Sequence, residues 1–144
     1  MGPFALHSVL NYRGQLEELA QQKLRTAEQA ARQLAERISK AETEIAAAAT
    51  TLAEKQRQEI DIREHIRLEE GLDYQRRELA ALKEAMVKRQ QSVDNARGHL
   101  QKRSQEKKVM EKLKERQDSA WQLHLSKKEA ADIDEIAILY HGKK

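Results

Sequence analysis

Five histidines, His7, His65, His99, His124 and His141, are the first residues to test for metal or proton-transfer chemistry, and none stands at ligand spacing from another. A helical zinc site needs two of them about four residues apart with a glutamate between them, and no such run occurs. Asp132, Asp134 and Glu135 offer oxygen ligands, yet the glycine and distal glutamate of a calcium loop do not follow them. With no cysteine in the chain there are no disulfides and no thiolate metal sites, which fits a reducing compartment. No glycine-rich phosphate loop is present either. The residues therefore predict no catalytic group, no cofactor and no metal.

What must position any functional side chain is a long helix. Of the 144 residues, 35% are charged and 39% hydrophobic, but only five are aromatic and twenty of the hydrophobic ones are alanine. Such a chain lacks the bulky residues that fill a compact core. Abundant Ala, Glu, Lys, Leu and Arg with one proline is a coiled-coil composition. An extended helical protein has no concave pocket, which argues against a conventional enzyme. No stretch approaches the roughly 18 apolar residues that span a bilayer. The Met1-Gly2 opening lacks a signal-peptide pattern, and Leu6 stands where a myristoylation motif needs Ser or Thr. A cytoplasmic protein without membrane insertion is expected.

The apolar residues follow alternating three-four spacing. The first series runs Leu24, Ala27, Ala31, Leu34, Ile38, Ala41, Ile45, Ala48, Leu52, Lys55, Glu59, Ile62, Ile66, with eleven of thirteen seats apolar. A second begins at Leu72 and runs Gln75, Leu79, Leu82, Met86, Arg89, Val93, Ala96, Leu100, Arg103, Lys107, Met110, with eight of twelve apolar. The step of six from Ile66 to Leu72 breaks the phase. Gly71 suits a helix end and Asp73 suits the next helix start. The expected fold is therefore all-α, a long antiparallel two-helix coiled-coil hairpin forming one domain over 1–144. Its first helix covers about 4–69, its turn about 70–73 and its second helix about 74–140. This would bring the two termini together and set Ile45 near Ala96. The other pattern these residues allow is one continuous helix pairing in parallel with a second chain. Polar seats such as Lys55, Arg89, Arg103 and Lys107 weaken the zipper while fixing its register.

Three surfaces stand out from this frame. Near the N-terminus Val9, Tyr12, Leu16 and Leu19 widen the apolar stripe, and near the C-terminus Ile133, Ile136 and Tyr140 do the same among further apolar residues. After Met110 the pattern slips toward Leu113, Ala120 and Leu123. The termini either pack on each other or dock a partner. At the opposite end Ile60, Leu68, Tyr74 and Val87 fall on outward positions and make a candidate partner patch. The stretch from Arg97 to Arg116 carries eight basic residues against three acidic ones. Without interleaved aromatics it is not a single-strand stacking platform, so nucleic acid is not the expected partner.

The opening Phe4-Ala5-Leu6-His7-Ser8-Val9-Leu10-Asn11-Tyr12-Arg13 resembles the start of FliJ-family proteins, with their Phe-x-Leu-x-x-Val-Leu-x-Tyr-Arg pattern. Glu111-Lys112-Leu113-Lys114-Glu115-Arg116 and Asp132-Ile133-Asp134-Glu135-Ile136-Ala137 are similar to that family's basic stretch and terminal element. The resemblance implies a non-enzymatic stalk of the bacterial flagellar export apparatus. Its implied partners are the hexameric export ATPase FliI, the gate protein FlhA at the membrane, and export chaperones. By that resemblance the terminal stripes, Val9, Tyr12, Leu16, Leu19, Ile133, Ile136 and Tyr140, would meet the ATPase ring. Gate binding would fall on Leu79, Leu82, Ala85 and Arg89, joined by Ile60, Leu68 and Tyr74. The family's aromatic residue before this stretch is replaced here by Arg77 or Glu78. An injectisome-type stalk or chaperone, or a basic arm that binds RNA, are the competing expectations.

Overall fold

The computed structural model describes residues 3–142, with side chains from Ala5 onward; the Met1-Gly2 opening lies outside them. Two helices take up nearly all of this, α1 over Pro3–Arg57 and α2 over Ile62–His141. Lys55 meets Glu64, Glu42 meets Lys83 and Arg13 meets Glu106, so partners step outward from the connection along both helices. That nesting makes the pair antiparallel, and the expected all-α hairpin is the fold. Contacts gather in two units, one of Met1–Ala20 with Leu100–Lys144 and one of Gln21–His99.

The connection is not where the glycine suggested. α1 ends at Arg57 and α2 starts at Ile62, so the turn is Gln58–Asp61 and the expected turn at 70–73 is helix. Local hydrogen bonding explains the position. The Gln58 amide donates to the Lys55 carbonyl at 3.2 Å, tightening the last turn of α1. Asp61 caps α2: its Oδ1 accepts from the Arg63 amide at 3.3 Å and its carbonyl accepts from the His65 amide at 3.1 Å. Ile60 before the cap and His65 four residues after it stand at the staple positions of a helix start, and both are half-buried. No described residue has positive φ, so this turn has no use for glycine. Gly71 lies exposed within α2, and a Cβ there would meet nothing within 4 Å.

The seam follows the two heptad series with one exchange. In α1 every seat from Leu24 to Lys55 is buried or half-buried. The last two apolar seats of that series leave the seam: Ile62 and Ile66 are 66% and 47% exposed. They begin α2, whose own series runs back through Leu68 to His65. In α2 the seats from Leu72 to Met110 are covered, except Arg89, which is exposed. The series then continues through half-buried Lys114 and Gln117 with no slip toward Leu113, which is exposed. Among the described residues only five are deeply buried, Ala20, Ala31, Leu34, Leu72 and Val93, as a narrow two-helix interface dictates.

Moving the turn to residue 60 makes the arms unequal, 55 residues against 80. Among the described residues the two helix ends are not brought together. His7 lies beside Lys114, with Nδ1 3.4 Å from Nζ, and is not brought to His141. Ile45 lines a groove with Tyr74 and Gln75, not with Ala96.

Candidate functional site

Within the unit of Gln21–His99, the side chains near the connection divide by face. Ile60 and Leu68, expected to point outward, are half-buried, whereas Tyr74 and Val87 are 58% and 59% exposed as expected. Ile62 and Ile66 join the exposed set, and the heptad count had hidden them by assigning both to the seam. Leu79, Leu82 and Ala85 are half-buried on the seam side of α2, while Arg89 faces solvent. A shallow groove beside them is lined by Ala41, Glu44, Ile45, Tyr74, Gln75 and Glu78. Across the connection Lys55 donates to Glu64. That hydrogen bond, with the lysine's charge, holds the Glu64 carboxyl below the ordinary value of 4.5.

In the unit of Met1–Ala20 and Leu100–Lys144, polar seats replace apolar ones at the interface. Arg13 and Arg103 both donate to Glu106, at 2.9 and 3.1 Å. Lys107 reaches Glu17 at 3.4 Å. The Arg103 hydrogen bond lowers the Glu106 pKa first, against a smaller opposing effect of burial, and the charges of Arg103, Arg13 and Lys102 add to it. Leu16 is half-buried at this interface, and Val9, Tyr12 and Leu19 are exposed. On the outer face Lys108, Lys112 and Arg116 stand four residues apart, without an ion-pair partner among the described residues.

From Ser119 to Gly142 every described residue is exposed. No described residue of α1 covers this part of α2. Trp121 and His124 stack loosely, with ring centroids 5.8 Å apart. Ile133, Ile136, Ala137 and Tyr140 fall at i, i+3, i+4 and i+7 on one face, while Ile138 and Leu139 lie on others. The three terminal candidates Ile133, Ile136 and Tyr140 thus share a face with one another but are not joined to Val9, Tyr12 and Leu19.

No group of three His, Asp or Glu side chains among the described residues could hold a metal ion, and no helix is long and apolar enough to cross a membrane. The architecture is that of a two-helix coiled-coil protein with exposed apolar residues beside the connection, early in α1 and along α2 from Val109 to Tyr140. A family model described as Flagellar FliJ protein matches residues 2–144, and the chain belongs to that family. It is accordingly a component of the flagellar protein export apparatus. No curated protein and no solved structure matches the chain.

Proposed function

We propose that the chain is a non-enzymatic stalk whose last α2 turns enter the ring of the export ATPase FliI, promoting ring assembly and turnover. The observation that carries this reading is the segment Ile133–Tyr140. A helix with apolar residues on more than one face is not covered by one flat partner, which buries only one stripe. Ile133, Ile136 and Tyr140 on one side and Ile138 on the other are all at least 63% exposed, so a surrounding wall suits them. A ring of subunits supplies such a wall. Val9, Tyr12 and Leu19 would add contacts at the ring's rim, with Leu16 supporting them from the interface.

Contact with the gate protein FlhA then falls to the unit of Gln21–His99, through exposed Tyr74 and Arg89, backed by Leu79, Leu82 and Ala85 and by Ile60 and Leu68 beneath them. Export chaperones would dock on the remaining exposed helix faces, and peripheral association with the cytoplasmic membrane follows from the gate. The test is turnover of the cognate ATPase at low enzyme concentration, where ring assembly limits the rate. Stimulation by the unaltered chain and its loss in Ile136→Asp would support the stalk. Equal stimulation by both would remove the terminal segment from the mechanism.

A further inference from the structure

The α2 series that packs against α1 does not stop where α1 stops. Half-buried Met110, Lys114 and Gln117 continue at the same spacing into Trp121, His124, Lys128, Ala131, Glu135 and Ile138, all exposed. This is the face α2 already uses for helix pairing, and no described residue covers it. Its two halves are complementary to each other. When the segment is laid antiparallel on a second copy about a two-fold axis near residue 130, Trp121 meets Ile138, His124 meets Glu135 and Lys128 meets Ala131, each pair formed twice. These are the facing layers of an antiparallel coiled coil. On the flank of the same register Lys127 falls opposite Asp134 of the second copy, also twice. Glu129 and Ala130 lie on the outer side.

We propose that the free end of α2 is a self-pairing helix, and that a second copy of this chain covers it in an antiparallel dimer. Apolar residues close the interface at both ends and opposite charges set its register in the middle. This proposal needs no ATPase and stands independently of the stalk reading. Because Ile138 would be enclosed in either partnership, the dimer competes with entry into a ring, while Ile133, Ile136 and Tyr140 stay on its outer face.

Sedimentation equilibrium of the full chain over about 1 to 100 µM, at low salt where charge pairs are least screened, tests it. The expected mass rises from 16.6 kDa toward twice that value. Ile138→Asp changes an exposed residue and should leave helicity intact while removing the dimer. Lys127→Glu and Asp134→Lys should each weaken the homodimer by about tenfold, since each sets two like-charge pairs face to face. Mixing these two single variants restores both attractive pairs and should yield a mixed dimer near the unaltered affinity. A mass that stays monomeric throughout overturns the proposal. So does a dimer that tolerates Ile138→Asp, or two charge variants that fail to rescue each other.

Discussion

Lys55 in the last turn of α1 donates to Glu64 in the first turn of α2, closing a connection of only four residues. Each charge also sits at the end of its helix that favours it, the cation at a C-terminus and the anion at an N-terminus. With the Asp61 cap, this places the turn by local chemistry alone.

The cap should therefore matter more than the glycine. Asp61→Ala removes the side-chain acceptor of the Arg63 amide and is expected to cost about 1 kcal/mol. Urea unfolding followed by circular dichroism measures it. An unchanged midpoint would mean that Asp61 is not holding the helix start.

Gly71→Ala should act in the opposite direction. The residue is helical and exposed, with room for a methyl group, so the substitution is expected to stabilise by about 0.5–1 kcal/mol. Had residues 70–73 formed a glycine turn, the same change would destabilise, so the sign of the shift separates the two geometries.

Leu82 and Tyr74 test which face of α2 is available to a partner. Leu82→Asp puts a carboxylate in the seam and should lower stability by about 2 kcal/mol or more. Tyr74→Asp changes a solvent-facing ring and should stay within about 0.5 kcal/mol. If gate binding is lost in Tyr74→Asp while its unfolding curve is unchanged, the surface role is direct. Loss only in Leu82→Asp would track the damaged seam.

Glu64 and Glu106 give stability an acid limb. Both carboxyls are held below 4.5 by partners that exist only in the folded chain. Their contribution is fully present above that value and disappears as pH falls through the lower folded values. Melting temperature recorded from pH 7 to 3 should decline below about 4.5, and Glu64→Gln with Glu106→Gln should flatten the decline. An unaltered slope in the double variant would assign the acid limb to other groups.

Both heptad series were legible because each alternates three and four over many turns, and burial follows them from Leu24 to Lys55 and from Leu72 to Met110. The junction lies away from the phase break for a particular reason. Ile62 and Ile66 happen to extend the first spacing, although they head the second helix and face solvent. The better signal was Asp61-Ile62-Arg63-Glu64, a cap with a glutamate three residues on, which outranks an isolated glycine. From that one displacement came the expectation of joined termini and of Ile45 near Ala96. On the outer faces, Tyr74 and Val87 are legible from their place off the heptad seam, and Ile133, Ile136 and Tyr140 from a stripe wider than one seam. Leu79, Leu82 and Ala85 as gate contacts came from family resemblance, whereas the heptad series seats Leu79 and Leu82 in the seam, where they are half-buried.

The short connection also acts as a ruler. Facing residues lie at nearly equal distances from residue 60, so each residue of α1 sheathes one residue of α2. The bare length of α2 is thus a subtraction written into the chain. Seven residues inserted in α1 ahead of Gln58 would preserve the heptad phase, sheathe seven more residues and shorten the bare end by about 10 Å. Reach, on this scaffold, is set at the turn and not at the tip.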